Sequence, residues 1–286
     1  MQTILVTGCN GQLGSEMQVA ANRFPSFQYI YTDVAELDIC DKNTLDAFVK
    51  ENAVNIIVNC AAYTAVDKAE DDIELCYKIN RDAVKNIGEV ASENNLKVVH
   101  VSTDYVFDGT NYLPYTEDLP VCPATVYGKS KLECEQALME SCGQAVILRT
   151  AWLYSSFGNN FVKTMIKLGT ERESLNVIFD QVGTPTYAAD LADAILCLLS
   201  NETFVPGIYH YSDEGVCSWY DFTKTIHRIA NVICNVQPIE TKDYPARTPR
   251  PHYSVLNKSK IKSTYNISIP HWEESLEKCI NLMQKA

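Results

Sequence analysis

The run Thr3–Val6 is short, apolar and β-branched. It leads without a break into Thr7-Gly8-Cys9-Asn10-Gly11-Gln12-Leu13-Gly14. The spacing Gly-x-x-Gly-x-x-Gly places three glycines between a strand and the helix expected over Gln12–Asn22. Gly8 permits the sharp turn, Gly11 lets backbone approach a pyrophosphate, and Gly14 lets helix and strand pack closely. The free N–H groups and partial positive charge of a helix N-terminus suit phosphate oxygens. After the first strand of a βαβ unit this pattern predicts a dinucleotide site. The bland reading is a plain tight turn.

The following rhythm supports a parallel sheet. Strands are expected at Tyr29–Thr32, Val54–Asn59, Lys97–Ser102 and Ala145–Leu148. Helices are expected over Thr44–Glu51, Ala69–Tyr77, Asp82–Asn94 and Tyr127–Glu140. Apolar strand runs alternating with helices predict an α/β fold, a Rossmann-type doubly wound parallel sheet covered on both faces. After Trp152 the rhythm breaks into helices at Phe161–Glu171, Asp190–Leu199, Trp219–Ala230 and Trp272–Gln284, with strands at Asn176–Phe179 and Gly207–Tyr211. The expected organisation is a dinucleotide-binding domain over 1–155, to which 187–212 returns. A smaller discontinuous α/β substrate domain is expected over 156–186 and 213–286.

Composition narrows the partners. Of 286 residues, 36 are Asp or Glu and 24 Lys or Arg, a formal net charge of −12. Such a surface repels phosphate backbones and anionic membranes, so neither nucleic acid nor a membrane is an expected partner. No stretch reaches the roughly 18 apolar residues of a membrane span. The eleven cysteines form no CxxC pair and sit mostly in apolar runs. They read as free thiols in a reducing, cytoplasmic compartment.

Asp33 closes the second strand, nineteen residues after Gly14, where such units place a carboxylate on the adenosine ribose. Asp38 is a second candidate. A carboxylate there with no Arg or Lys before Lys42 leans towards NADH over NADPH. Tyr127 and Lys131 stand at i and i+4, one helix face, with Cys134 and Leu138 continuing it towards the sheet. A Lys in that position is expected to lower the Tyr127 pKa towards neutrality and to reach the nicotinamide ribose. Tyr127 would then exchange a proton with a carbonyl/alcohol pair. Ser102-Thr103-Asp104 ends the fourth strand, where open sheets hold their ligands. The Thr103 hydroxyl can bond the oxygen that Tyr127 protonates, or merely cap a helix. Lys242 to His252 carries Lys242, Arg247, Arg250 and His252 against one acid, Asp243. Its Arg247 and Arg250 are candidates for a substrate diphosphate, against the reading of a solvated linker.

Six segments together resemble the extended short-chain dehydrogenase/reductase family over nearly the whole chain. They are the Thr7–Gly14 turn, Val58–Asp67, Ser102–Gly109, Tyr127–Lys131, Arg149–Tyr154 and Asp180–Thr186. The resemblance implies reduction of the C4 keto group of dTDP-4-dehydro-L-rhamnose to dTDP-L-rhamnose, with NADH or NADPH. It implies Thr103, Tyr127 and Lys131 as the catalytic set. Gly11, Gln12, Leu13, Asp33, Asp38, Ala62, Tyr63 and Thr64 match dinucleotide contacts, and Thr103, Asp104 and Trp152 match sugar-nucleotide contacts. Trp152, read as following the sixth strand, would offer a flat face at the crevice mouth, or pack in the core. Tyr105 stands where the family's dehydratases carry a Glu base, so elimination of water is not expected. A homodimer is possible, as is Mg²⁺ at a subunit contact. Glu16 matches one such ligand, but Ala188-Ala189-Asp190 departs from the acidic pair, so no metal ligand set is assigned. Alternative readings are a reductase or epimerase of another NDP-sugar, or a non-catalytic dinucleotide-binding regulatory subunit.

Overall fold

The structure, a computed structural model, describes residues 1–285. Ala286, the last residue of the expected substrate domain, lies outside the described residues. The first half runs β1 (Gln2–Thr7), α1 (Gln12–Ala20), β2 (Phe27–Thr32), α2 (Lys42–Glu51), β3 (Ile56–Asn59), α3 (Val66–Ala69), α4 (Ile73–Tyr77), α5 (Ala83–Glu93), β4 (Lys97–Thr103), α6 (Val126–Ser141) and β5 (Ala145–Thr150). The second half adds α7 (Phe161–Glu171), α8 (Ala188–Ser200), α9 (Trp219–Ala230), α10 (Ser259–Tyr265) and α11 (Trp272–Lys285), with a sixth sheet strand at Gly207–His210.

The six strands are parallel, in the order β2, β1, β3, β4, β5, Gly207–His210. Successive side chains along a strand point to opposite faces, so one apolar run feeds two cores. Ile4, Val6, Val58, Val146 and Leu148 face α1, α8 and α10. Leu5, Ile57, Val98 and Ile147 face α2, α5 and α6. The chain leaves β1 for one edge through β2 and returns through β3 to the other side. The carboxyl ends of β1 and β3 therefore flank the switch point, where such sheets open a crevice.

A third core, including Tyr154, Val162, Phe222, Ile226, Trp272 and Leu276, binds α7, α9 and α11 together beyond the sheet. Ile261 and Tyr265 of α10 instead join the core of the sheet. Several bounds differ from expectation. Ala69–Tyr77 is two short helices, broken at Glu70–Asp72. A π-helical turn, Lys78–Asp82, joins α4 to α5. Trp152 follows the fifth strand in chain order rather than the sixth. Asn235–Ile239 is an unexpected strand, parallel to Ser174–Ile178. The eleven cysteines are free. No helix among the described residues is long and apolar enough to cross a membrane.

Candidate active site

The glycine turn is built as its spacing requires. Gly8 has φ +67°, and a Cβ there would lie 2.6 Å from the Ala61 backbone nitrogen. A Cβ at Gly14 would meet Cys9 Cα at 2.6 Å. The turn thus presses directly on the loop after β3, which carries Ala62, Tyr63 and Thr64. Gly11 N–H bonds Gly8 O at 3.1 Å, and no side chain caps α1. The first-turn N–H groups at Gln12 and Leu13 are left open to an anion. Gln12 Oε1 accepts from Asn160 Nδ2 at 3.0 Å, joining the turn to the start of α7.

Asp33 lies at the carboxyl end of β2 against this turn. Its Oδ2 accepts from Asn10 N–H at 3.0 Å and its Oδ1 from Val34 N–H at 2.8 Å. Asp38 is exposed and turned to its own loop, accepting from Cys40 N–H at 2.9 Å. Of the two candidates, Asp33 is the one brought to the glycines.

Thr125 caps α6 through Gly128 N–H at 3.0 Å, which sets Tyr127 in the first turn. Tyr127, Lys131, Cys134 and Leu138 are all buried on the face towards the sheet. Thr103 at the end of β4 is buried with Tyr127, its Oγ1 accepting from Tyr105 N–H at 3.2 Å. The expectation for the acidity of Tyr127 is overturned. Burial pushes Tyr127 well above the ordinary tyrosine value, opposed by the Thr103 hydroxyl. Lys131 Nζ is committed to His100 Nε2 at 2.9 Å and to Val101 O at 2.8 Å. Tyr127 is therefore a protonated phenol at neutral pH.

Asp104 is buried and pushed up to about 6, chiefly by desolvation. Its Oδ1 accepts from Thr103 Oγ1 at 3.0 Å, while Oδ2 is buried without a partner. The Tyr105 ring meets Tyr127 edge-on at 5.5 Å. Beyond Tyr105 opens a cavity of about 880 Å³, lined in part by Asp67, Trp152, Phe161, Trp219, Arg247 and Arg250. Thr103, Tyr127 and Lys131 do not line it, whereas Tyr105, whose ring touches Tyr127, and Trp152 do. Trp152 adopts φ +51°, a left-handed conformation rare for a bulky residue. It is held there by stacking on Trp219, ring centroids 3.5 Å apart, and by Gly183, where a Cβ would lie 2.7 Å from its indole.

The basic loop does not simply stand open to a diphosphate. Arg247 is exposed and ion-paired through both Nη atoms with Asp71. Arg250 is half-buried and donates to Asp67 at 2.8 Å, with its Nη1 buried and unpartnered. Glu16 Oε1 accepts from Ser155 at 2.6 Å and Asp190 is the other acid acting on it; among the described residues no three His, Cys, Asp or Glu side chains are grouped so as to hold a metal.

Asn59, Asn80 and His100 emerge only in the structure. Asn80, in the π-helical turn, accepts from Tyr63 N–H at 2.8 Å and donates to Tyr63 O and Ser130 Oγ at 3.1 and 3.0 Å. It anchors the loop after β3 to α6. Asn59 and His100 are polar residues inside otherwise apolar strand runs. That is the sequence signal that could have singled them out, since a buried polar group needs a partner.

A doubly wound parallel sheet, a glycine turn at its switch point and a Thr–Tyr–Lys set at the next strand end define a Rossmann-type protein of the short-chain dehydrogenase/reductase kind. The family model described as RmlD substrate binding domain matches residues 1–285, and the chain belongs to that family. It is 37% identical over 287 residues to a dTDP-4-dehydrorhamnose reductase of Aggregatibacter actinomycetemcomitans, covering 97% of this chain and 98% of that one. A crystal structure of a dTDP-4-dehydrorhamnose reductase from Clostridium acetobutylicum superposes with a TM-score of 0.94 at 42% identity, covering 99% and 100% of the two chains. The Bacillus anthracis dTDP-4-dehydrorhamnose reductase, solved in complex with NADP, gives 0.94 at 40% identity over 99% and 100%.

Proposed function

We propose that this chain reduces the C4 keto group of dTDP-4-dehydro-L-rhamnose to the alcohol of dTDP-L-rhamnose, using NADH or NADPH. The observation that carries the reading is the buried set Thr103, Tyr127 and Lys131, with the Tyr127 ring against Tyr105, which lines a cavity large enough for a nucleotide sugar. The names of the relatives support the substrate. The reduced dinucleotide, when bound, supplies the hydride. Gly8, Gly11, Gln12, Leu13 and Gly14 would hold its pyrophosphate, and Asp33 its adenosine ribose. Ala62, Tyr63 and Thr64 would wall it on the β3 side. Lys131 would reach its nicotinamide ribose.

Thr103 then hydrogen-bonds the substrate carbonyl oxygen, and Tyr127 delivers the proton that oxygen needs. Asp104 Oδ2, buried and unpartnered, accepts from a sugar hydroxyl. Trp152 bounds the deoxysugar, and Arg250, with Arg247 behind it, meets the diphosphate. Residues 1–155 and 187–212 would form the dinucleotide side, and 156–186 with 213–286 the substrate side, although α10 packs back on the sheet. The free cysteines fit a reducing cytoplasm.

The test is oxidation of NADH and of NADPH with a panel of 4-keto NDP-sugars. We expect dTDP-4-dehydro-L-rhamnose to be turned over best, and NADH to serve at least as well as NADPH because Asp33 would meet a 2′-phosphate with like charge. Turnover of a different sugar would replace the substrate. A strong NADPH preference would mean that the 2′-phosphate avoids Asp33. No oxidation with any sugar would overturn the enzymatic reading in favour of a dinucleotide-binding regulatory subunit.

A further inference from the structure

Trp219 opens α9 directly after Ser218, which caps that helix in a reciprocal pair with Asp221. Asp221 N–H donates to Ser218 Oγ at 3.1 Å, and Ser218 N–H to Asp221 Oδ2 at 3.0 Å. Cys217–Ser218 pairs antiparallel with Val182–Gly183, Cys217 opposite Gly183. Cap and pairing together bring Trp219 and Gly183 to one ring, the indole of Trp152. The two indoles lie 10° from parallel with centroids 3.5 Å apart. Phe161, at the start of α7, packs on Trp219 at 4.5 Å. All three rings line the cavity, and both indoles are half-buried.

The backbone and the ring of Trp152 have different partners. Ala151 O accepts from Thr186 Oγ1 at 2.7 Å, and Trp152 O from Thr186 N–H at 3.2 Å. The next residues, Leu153–Tyr154, pair with Thr186–Tyr187. These bonds pin the chain on either side of the left-handed φ. They do not set the side-chain torsions, which choose among staggered wells by what the ring then touches. Trp219 offers a flat surface in only one of those directions, and an aromatic pair favours the stacked contact beyond the area it buries.

We propose that Trp219 is a positioning residue for the sugar nucleotide, fixing the indole of Trp152 in one orientation before the substrate arrives. The inference rests on the proposed function. A ring that is already immobilised adds no ordering cost to binding, whereas a free ring must be ordered by the ligand. The same rigid wall bears on the reaction, because the carbonyl oxygen has to lie within reach of the Tyr127 proton. Gly183 belongs to the arrangement. A Cβ there would lie 2.7 Å from Cε2 and 2.9 Å from Nε1 of Trp152, so a larger residue displaces the ring. Gly183 itself does not line the cavity, and neither does any residue of the glycine turn.

Initial rates at varied dTDP-4-dehydro-L-rhamnose and saturating NADH test this. Trp219→Leu should raise KM for the sugar nucleotide about three- to tenfold, the cost of ordering one freed side chain on binding. KM for NADH should not change. Gly183→Ala keeps both indoles and should raise the same KM by pushing Trp152 out of place. A double variant separates action through Trp152 from a direct grip on the sugar. Trp152→Leu should raise KM, and Trp219→Leu added to it should raise it no further, as coupled residues behave. Effects that multiply in the double variant, or a wild-type KM in either Trp219→Leu or Gly183→Ala, would overturn the proposal.

The stack also has an optical readout that needs no turnover. Two indoles this close are coupled oscillators and should give the wild type an exciton couplet in circular dichroism. The third tryptophan, Trp272, meets Phe222 edge-on and adds none. The couplet should vanish in Trp219→Leu and in Trp152→Leu, weaken in Gly183→Ala, and stay unchanged when dTDP-L-rhamnose is added to the wild type. A couplet that is missing, or that forms only with the sugar nucleotide bound, would show that the ring is not set in advance and sink the inference. A wild type that reduces no keto sugar counts against the proposed function. One that reduces it while Trp219→Leu keeps its KM counts against Trp219 alone.

Discussion

At Tyr127 burial and the Thr103 hydroxyl pull in opposite directions, and burial prevails. The phenol then arrives at the substrate with its proton. Tyr127→Phe deletes that proton and little else, so kcat should fall by ~10²–10⁴ while NADH affinity holds. Lys131→Ala should lower both, because the same amine would face the ribose. Stopped-flow turnover beside fluorescence titration of NADH separates the two. If Tyr127→Phe kept its kcat, another group would have to donate. Asp104 makes a second prediction from its environment. With its carboxyl pushed up to about 6, it is ionised above that pH and protonated below it. Only the ionised form offers both oxygens as acceptors. KM for the sugar nucleotide should therefore rise as pH falls through about 6. Asp104→Asn should have a raised KM and no inflection there. An inflection that persists in Asp104→Asn belongs to another group.

The glycine turn and α6 are the elements that position these side chains. Gly8→Ala would be strained at φ +67° and would drive a methyl group into Ala61 N at 2.6 Å. Since Ala61 begins the loop bearing Ala62 to Thr64, both walls of the dinucleotide crevice would shift. NADH affinity should fall at least about tenfold, as the loss of one charged hydrogen bond would give. Far-ultraviolet circular dichroism should be unchanged. Wild-type affinity in Gly8→Ala would remove the turn from the cofactor site. This turn, its strand and the repeated βαβ rhythm were legible because spacing alone encodes them. Other elements were not. Asn235–Ile239 contains Pro238, which lacks a ladder donor and reads as a breaker, yet it is tolerated on this two-stranded edge. α10 has only Ile261 and Tyr265 to bury, too few to show a period. Asp71 and Asp72 split the expected Ala69–Tyr77 helix. The Tyr127–Lys131 pair was visible as a spacing, but the partner of Lys131 was not. His100 lies 31 residues away and meets it only when β4 packs under α6.

At the scale of the whole molecule, an acidic chain must bind two anions, a dinucleotide and a nucleotide sugar. Long-range attraction opposes both, so affinity depends on local groups. For the first, the proposed site is the helix N-terminus of the glycine turn. For the second, the sheet side and the outer side meet at the Arg247–Asp71 and Arg250–Asp67 ion pairs, beside the cavity that both arginines line. The two pairs are not equivalent. Arg247 and Asp71 are largely exposed, with side chains 56% and 60% accessible, so solvent and salt screen that pair. The Arg250 side chain is only 28% accessible, and its Nη1 is buried with no partner. An orphaned guanidinium nitrogen is a donor awaiting an acceptor, and a phosphate oxygen accepts it in the geometry Arg favours. Arg250→Ala should therefore raise KM for the sugar nucleotide about tenfold or more, matching the ~1.5–3 kcal/mol of a charged hydrogen bond. Arg247→Ala should change it by only about threefold, the worth of a screened surface contact. NADH affinity should stay the same in both, because the glycine turn lies at the other anion. Initial rates at varied sugar nucleotide and fixed NADH decide it. A larger effect at Arg247 would mean that the exposed arginine leaves Asp71 to grip the diphosphate. No effect at either would take the grip away from this loop altogether.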